Sequence, residues 1–358
     1  MKPFKGNFET NTKKRLLHVF PGSTAPRFFQ SGGGKGIKIF EDYFKKESIS
    51  LDTLVLKKKS DLELVKNLIR LDIQQYSHVF IHYPMFILSA IYLKICYPNI
   101  VIIVRSHNAE FPHWLHHSFL ELKAKNFKRS LVCFLTALRN GIGEIFMGVF
   151  ANYILAITEW EAESYWGKRA FRAKVLYAPY YLTHHAGHKQ SSNNITKNRC
   201  VCLMAPSHSS FLQNAAENFI NLVSNSRDLN AWTFCITGDS ENLPDASNSD
   251  IDKVGFLDDI GQFLRDSHAV AILTEYGFGF KTKILEAAAE GCWSLVPEKA
   301  MFNIPRGVRE FCIPIDISSQ ESFADALKKC SKKIPDFKDN NENLKLIAHQ
   351  SISKTLSC

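Results

Sequence analysis

The chain has 358 residues, of which 45% are hydrophobic and 22% are charged, and its formal net charge at pH 7 is +9. This length is sufficient for two domains of ordinary size, and the hydrophobic content excludes an intrinsically disordered chain. Residues 1–14 are polar and basic without an apolar core, which predicts that there is no signal peptide.

The charge is distributed unevenly along the chain. Residues 1–190 contain 27 Lys and Arg against 14 Asp and Glu (+13), whereas residues 191–358 contain 17 against 21 (−4). A basic N-terminal half predicts an anionic partner such as membrane headgroups, a lipid diphosphate or nucleic acid, and a merely soluble basic surface is the alternative. Because no nucleic-acid motif or aromatic stacking platform is recognisable, we expect no nucleic-acid partner.

The nine cysteines are scattered singly, and Cys200 and Cys202 are too close for a Cys-x-x-Cys metal or redox motif. We therefore expect no structural metal site and a reduced, cytoplasmic protein. The most apolar stretch, Val79–Val104, is interrupted by His82, Pro84, Lys94 and Pro98. A bilayer-spanning helix needs about 20 largely uninterrupted apolar residues, so this stretch predicts a strand, a helix and a second strand, and no transmembrane segment.

In the N-terminal half, short apolar runs alternate with amphipathic helical patterns. The predicted strands are Leu16–Phe20, Leu51–Leu56, His78–Tyr83, Ile100–Arg105, Tyr153–Ile157 and Val175–Tyr177, and predicted helices include Asp61–Leu71 and Phe86–Cys96. Nearly continuous apolar strands separated by helices indicate a parallel sheet that is covered on both faces.

The alternation stops in a polar, His- and Asn-rich stretch and then resumes, which predicts an interdomain linker at residues 186–199. Beyond it the predicted strands are Cys200–Met204, Trp232–Thr237, His268–Thr274 and Cys292–Val296, and the predicted helices are Phe211–Val223, Asp258–Arg265 and Lys281–Glu290. The fold expected is α/β, with two Rossmann-like doubly wound domains (residues 1–185 and 200–338) facing a central cleft. Residues 339–358 are predicted to form a C-terminal helix that can pack back on the first domain. Ligands of such folds bind beyond the carboxyl ends of the strands, which here face the cleft.

The segment Thr274–Ala287 runs from a predicted strand through a glycine turn into a predicted helix and carries the clearest functional signal. Two glycines allow close approach of the backbone to a ligand, and the free amides of a helix's first turn suit a phosphate. We expect Lys281 at that turn, where its ammonium could neutralise a diphosphate. Glu286, one helical turn further on, could accept hydrogen bonds from a ribose diol. A plain glycine turn followed by a solvated helix is the alternative.

The motif Gly-x-Gly-x-Lys-x-Lys-x-Leu-Glu-Ala runs from Gly277 to Ala287 and is followed by Glu290-Gly291-Cys292. It resembles the donor-binding motif of family 4 glycosyltransferases, which have the GT-B fold. The resemblance implies that Glu286 holds the nucleotide ribose. It also implies that Gly277, Gly279, Lys281 and Thr282 face the diphosphate and the sugar.

The chain departs from this family pattern at two places. Many members carry a glutamate eight positions before the ribose-binding one, where this chain has Phe278, while Glu275 is out of register. Members with the Gly-x-Gly-x-Lys loop also lack that glutamate. Many relatives place an Arg and a Lys after the first strand of the second domain, but the region around Ser207 contains neither.

A glycine run, Ser31–Gly36, follows the first predicted strand and should open the first helix. It satisfies neither the P-loop nor the dinucleotide fingerprint, and a flexible loop is the alternative. In the resembled family this loop contacts the donor diphosphate and the acceptor, which implicates Gly33 and Gly34.

Arg105–Glu110 follows a predicted strand, so its polar side chains should point into the site region. The resemblance places a histidine of the acceptor-side cleft at His107, and Glu110 could orient an acceptor or act as a base. A satisfied histidine and a helix-capping carboxylate are the alternative. In the nearby segment Thr158–Glu163 we expect a structural role, with Thr158 capping a helix that starts with acidic residues.

The segment Trp114–Arg139 mixes apolar residues with Lys and Arg, as an interfacial helix does. This pattern predicts peripheral contact with the inner face of a membrane, and an ordinary domain helix with a cationic face is the alternative.

The function expected is retaining transfer of a sugar from a UDP- or GDP-type sugar to a glycan or lipid-linked acceptor, in cell-surface polysaccharide synthesis. His107, Glu110 and Lys281 are the candidate catalytic residues, and no cofactor is expected. No metal is expected either. A nucleotide-sugar epimerase of the same fold and a non-catalytic scaffold are the alternatives, while a dehydrogenase is disfavoured by the absence of a Gly-x-Gly-x-x-Gly after a strand.

Overall fold

The computed structural model of the protein describes residues 15–22, 32–183, 198–203, 210–226, 229–238, 243, 251–257, 259–274, 278–332 and 334–357. Within these ranges the chain forms two parallel six-stranded sheets with helices around them, an α/β architecture of two doubly wound units. The fold class predicted from the sequence is confirmed.

The first sheet has the strand order β2-β1-β3-β4-β5-β6, all parallel. Its elements are β1 (Arg15–Pro21), α1 (Gly32–Lys46), β2 (Ser50–Leu56), α2 (Asp61–Arg70), β3 (His78–His82), α3 (Ile87–Cys96), β4 (Val101–Arg105), α4 (Glu110–Lys123), α5 (Phe127–Phe150), β5 (Tyr153–Ala156) and β6 (Lys174–Tyr177). Neighbouring residues of one strand enter different cores, for example Leu16 and Leu17 of β1. Both faces of the sheet are therefore covered, which is why its strands are continuously apolar.

The second sheet has the order β12-β11-β10-β7-β8-β9, again all parallel. Its elements are β7 (Asn198–Leu203), α6 (Ser210–Asn225), β8 (Trp232–Thr237), β9 (Ile251–Gly255), α7 (Ile260–Arg265), β10 (Ala269–Ala271), α8 (Lys283–Ala289), β11 (Trp293–Pro297), β12 (Cys312–Ile315), α9 (Gln320–Cys330) and α10 (Lys338–Leu356). The strand order reverses between β7 and β10 here, and between β1 and β3 in the first sheet. In such folds ligands bind at these reversals, beyond the carboxyl ends of the strands.

The two strands that the sequence does not reveal are the edges of the second sheet. β9 exposes its central residues Asp252, Lys253 and Val254, so it has no apolar run, and β12 contains Pro314, which is tolerated on an edge strand. β10 is shorter than the predicted strand His268–Thr274.

The segment Trp114–Arg139, which the sequence pattern treats as one helix, is divided between two helices, and its contact with a membrane stays a prediction. Two helices, α4 and α5, pack against each other as a hairpin. The chain turns at Lys125, whose φ is 59°, and Asn126 caps α5 by accepting a hydrogen bond from the Arg129 backbone nitrogen. A residue with a positive φ cannot continue a right-handed helix, so α4 ends before Lys125 and α5 begins after it.

Helix α5 buries one face and exposes the other. Its buried face includes Asn140, Gly143 and Glu144. Among the described residues it is the one helix long and apolar enough to cross a membrane, with a mean hydropathy of 1.3 over its most apolar 18 residues, of which 39% are buried inside the protein. Core helices pass the same test, and the expectation of no transmembrane segment, drawn from residues 79–104, does not cover this helix.

The C-terminal helix α10 lies across the first domain. Ile352 enters the core cluster of that domain, and Ser351 Oγ donates to the Tyr177 carbonyl at 2.5 Å. Near the start of the helix, Asn341 and the backbone of Leu182 exchange two hydrogen bonds. The chain thus returns from the second domain to the first. Residues 186–197 of the predicted linker lie outside the described residues, and its last two residues, 198 and 199, begin β7.

Candidate active site

A row of buried imidazoles lies under the carboxyl edge of the first sheet. His18 of β1 and His82 of β3 meet through their Nε2 atoms at 2.7 Å, and His82 Nδ1 lies 2.8 Å from His107 Nε2. The row ends at Tyr180, whose hydroxyl lies 2.8 Å from His107 Nδ1. Adjacent parallel strands bring these residues together, although they are far apart in sequence.

His107 is therefore occupied at both ring nitrogens and is 5% exposed. Its ring also stacks on Tyr83 with the centroids 4.5 Å apart. Burial, assisted by Arg105 and Lys59, holds the pKa of His107 well below its ordinary value, so the ring is neutral at physiological pH. A neutral imidazole donates with one nitrogen and accepts with the other. In this arrangement His107 holds its neighbours in place.

Glu110 begins α4 and is also buried. Its Oε2 accepts from Trp114 Nε1 at 3.1 Å, and its backbone nitrogen donates to Glu144 Oε1 at 2.8 Å. Burial raises the pKa of Glu110, and nearby Lys59 opposes that shift. A carboxyl group with a raised pKa is suited to proton transfer, although Glu110 lines neither of the two cavities described below.

Sequence reasoning missed Tyr83 and Lys59 at this edge. Tyr83 directly follows β3 and has a φ of 77°, a rare conformation for a bulky residue. The Lys59 ammonium lies 3.7 Å from the Tyr83 ring centroid, on a loop that begins at the end of β2. The sequence did contain one indication of a cationic site here, because Lys57, Lys58 and Lys59 directly follow an apolar strand.

The second domain contributes the glycine turn and α8. Lys281 precedes this helix, Thr282 is its N-cap residue, and Glu286 lies within it. The expectation that the helix starts at Lys281 is therefore wrong by two residues: the Lys281 carbonyl accepts from the Ile284 backbone nitrogen at 3.0 Å, in a turn that precedes α8. Burial and the neighbouring Lys283 lower the pKa of Lys281 to about 8.

The two domains touch at the glycine turn. Gly279 has a φ of 116°, and a Cβ atom at this position would lie 1.8 Å from the side-chain amide of Asn108. With its amide nitrogen facing the two carbonyls, Asn108 donates to Phe278 O at 3.0 Å and to His107 O at 2.7 Å. Only glycine fits here, for both conformation and space.

A cavity of about 470 Å³ opens between α1 and α8. Lys35 from the glycine run and Glu286 line it, and they form an ion pair across the cleft with Nζ and Oε1 at 2.5 Å. Gly33 and Gly34 lie in the first turn of α1, as the sequence predicted for the start of this helix. Further along, Gly36 packs so tightly on Tyr180 that a Cβ atom would lie 2.3 Å from its ring.

A second cavity, of about 230 Å³, is lined by Lys281 and by the aromatic rings of His116, Phe278 and Phe302, among other residues. The Phe278 ring centroid lies 5.0 Å from that of His116 and 5.9 Å from that of Phe302. Trp160 of the first domain stacks behind them, 5.3 Å from Phe278. Phe278, which stands where many relatives of the resembled family have a glutamate, therefore builds the interdomain contact.

The segment Thr158–Glu163 also joins the domains. Thr158 Oγ1 accepts from the Glu161 backbone nitrogen at 3.1 Å, as expected of a cap, and donates to Asn303 of the second domain at 3.0 Å. Gly277, Glu275 and the region around Ser207 lie outside the described residues. Within the described part of the chain, no group of three or more His, Cys, Asp or Glu side chains could hold a metal ion.

No protein-family model matches this chain, and no curated protein matches it in sequence. Solved structures do match in fold. HepE from Anabaena in complex with UDP is 14% identical with a TM-score of 0.61, and the alignment covers 96% of this chain and 100% of that one. Sucrose-phosphate synthase from Thermosynechococcus elongatus is 10% identical with a TM-score of 0.64, covering 96% and 98%.

A UDP-forming α,α-trehalose-phosphate synthase from Burkholderia vietnamiensis is 10% identical with a TM-score of 0.61, again covering 96% of this chain and 98% of that one. At such low identity the likeness is one of fold, and it extends over both domains. The chain has the GT-B fold.

Proposed function

We propose that this protein is a glycosyltransferase that moves a sugar from a nucleotide diphosphate sugar to a glycan or lipid-linked acceptor. The observation that carries the proposal is the position of Glu286 and Lys281 at the cleft face of the second domain, each lining a cavity. Glu286 offers a hydrogen-bond acceptor for a ribose diol, and Lys281 offers a cation for a diphosphate. A neighbour in fold, HepE, was solved with UDP and with UDP-glucose, which supports a nucleotide sugar as the ligand.

In this proposal the bond from the anomeric carbon to the diphosphate oxygen breaks, and a bond from that carbon to the acceptor oxygen forms. The proton of the acceptor hydroxyl passes to the departing diphosphate. Lys281 and the glycine turn stabilise the negative charge that develops on the leaving group. Closure of the two domains at Gly279 and Asn108 excludes water and aligns the acceptor.

The acceptor side of the cleft is assigned to the edge formed by Lys59, Tyr83, His107 and Glu110. His107 is neutral and held from both sides, so we assign it the positioning of this edge. We assign Glu110 the orientation of the acceptor hydroxyl, whose proton passes to the diphosphate. Retention at the anomeric carbon and independence of metals are proposals that follow from the family resemblance.

The test is binding followed by turnover. The protein is titrated with UDP and GDP by calorimetry, and the nucleotide that binds is then supplied as its sugar derivatives with glycan and lipid acceptors. We expect one of them to bind, and transfer to continue in EDTA. A scaffold would bind neither nucleotide, and an epimerase would convert the donor alone. Loss of transfer in EDTA with recovery in manganese would contradict metal independence.

We also propose that the α4–α5 hairpin contacts an anionic membrane surface on the cytoplasmic side, as part of cell-surface polysaccharide synthesis. Helix α5 exposes apolar side chains at a spacing of three and four residues, so that they form one stripe: Phe127, Leu131, Phe134, Leu135, Leu138, Ile142, Ile145 and Phe146. Lys123, Lys125, Lys128 and Arg129 lie at the turn of the hairpin. An apolar face bordered by cations is the chemistry of an interfacial helix.

A further inference from the structure

Lys35 and Glu286 form an ion pair between the two domains at the mouth of the larger cavity. The Lys35 Nζ and Glu286 Oε1 atoms lie 2.5 Å apart, and the two residues are 251 positions apart in the chain. The Glu286 side chain is 20% exposed and that of Lys35 is 41% exposed. The pair is thus reachable by a ligand that enters the cavity.

The other charges that line this cavity are paired within their own domains. Lys38 of α1 pairs with Asp42 of the same helix at 2.9 Å, and Glu290 pairs with Arg265 at 2.8 Å. Among the charged side chains lining it, Lys35 and Glu286 are the ones paired across the cleft. Opening or filling the cavity therefore affects this pair first.

Lys35 also belongs to a group of three ammonium groups. Burial lowers the pKa of Lys283, and Lys35 lowers it further, while Lys283 in turn lowers the pKa of Lys281. Lys283 is thus within electrostatic reach of both Lys35 and Lys281, and the Glu286 carboxylate acts on Lys283 as well. A diphosphate carries more than one negative charge, and several cations are needed to neutralise it.

The ion pair limits how a nucleotide can bind Glu286. A ribose diol that uses both carboxylate oxygens must share or displace the Lys35 ammonium, which holds Oε1. When the pair opens, the ammonium loses its counter-ion at the edge of a partly dehydrated cleft. It regains one only if the ligand itself supplies an anion near α1.

We infer that Lys35 is an exchange latch: it pairs with Glu286 in the empty cleft and moves to the diphosphate of the donor when the ribose takes Glu286. This inference rests on the proposed function, because it assumes a nucleotide at Glu286. It adds a donor-binding residue from the first domain and a basis for specificity. A nucleoside must break the pair without compensation, whereas a nucleoside diphosphate replaces the lost contact.

The test compares UDP with uridine, and GDP with guanosine, by calorimetry on the full chain. In the Lys35→Met variant the nucleoside should bind several-fold more tightly, because no pair has to open. The diphosphate should bind about 10-fold more weakly, because it loses a charge-assisted contact. The ratio of the two dissociation constants, large in the wild type, should therefore collapse. Lys35→Arg retains the charge and should keep most of the ratio.

Lys38→Met is the matched control, since Lys38 lies on the same helix, lines the same cavity and pairs within its own domain. It should leave both affinities unchanged. If the wild type binds the diphosphate but Lys35→Met leaves the ratio of the two dissociation constants unchanged, the latch is wrong and the proposed function is unaffected. Failure of the wild type to bind either UDP or GDP overturns both. Melting temperatures of all variants check that they are folded.

Discussion

Gly279 and Asn108 meet across the cleft so closely that no side chain can be added to the glycine. A Cβ atom at position 279 would overlap the side-chain amide of Asn108, and the φ of 116° is one that other residues rarely adopt. The contact joins the glycine turn of the second domain to the loop that follows β4 in the first. It is one of the points at which the two domains touch.

We predict that Gly279→Ala reduces transfer at least about 10-fold, because the turn must change its backbone conformation and the domains can no longer close on Asn108. The melting temperature should fall by only a few degrees, since the change lies at the domain boundary. Steady-state kinetics and a thermal melt measure the two effects. Gly307→Ala is the control, because a Cβ atom there meets nothing within 4 Å. Equal activity of the two variants would show that the contact is unimportant for turnover.

Glu286→Gln should raise the dissociation constant of the bound nucleotide by about 10- to 100-fold. The reason is that hydrogen bonds to a charged acceptor contribute about 1.5–3 kcal/mol each, and the amide offers the diol only one acceptor oxygen. Calorimetry measures the change. Glu342→Gln is the matched control, since Glu342 pairs with Lys345 on the exposed side of α10. If both variants bind like the wild type, the ribose does not contact Glu286.

Nucleotide affinity should decrease as the pH rises through about 8. The pKa of Lys281 is lowered to about 8, so its ammonium is present below that pH and is lost above it. A diphosphate prefers the charged form and will itself raise this pKa, which moves the decrease upward in the complex. Titrations with UDP or GDP between pH 7 and pH 10 measure this decrease.

Lys281→Arg provides the comparison for this pH dependence, because a guanidinium stays charged over the whole range. The decrease in affinity should be absent in that variant. A decrease of the same size in both proteins would assign the titration to another group.

Leu135→Asp should weaken binding to vesicles of equal parts phosphatidylglycerol and phosphatidylcholine by about 10-fold or more, because it places a charge in the apolar stripe of α5. Co-sedimentation measures the partitioning, with vesicles of pure phosphatidylcholine as a test of the electrostatic part. Leu346→Asp is a close control, since Leu135 is 56% exposed and Leu346, on α10, is 55% exposed. If the two variants partition alike, the stripe is not the contact surface.

Much of the fold follows from local pattern. Apolar runs such as Leu16–Phe20 and Ile100–Arg105 predict strands buried on both faces, and they lie where β1 and β4 are found. The pattern fails at β9 and β12, because edge strands need not be apolar on both faces. It also fails at Lys125, where the apolar periodicity continues through a change of backbone direction.

The amino-acid sequence by itself determined the two-domain α/β architecture, the glycine-rich start of α1, the glycine turn at Gly279, and the positions of Lys281 just before α8 and Glu286 within it. These features depend on residues close together in the chain, whose spacing and conformational preferences are local properties. Only the tertiary structure decided that His107 lies in a row of imidazoles and that Glu286 faces Lys35. Such pairings arise when parallel strands and separate domains pack, and that packing brings together residues whose separation in the sequence carries no information about their contact.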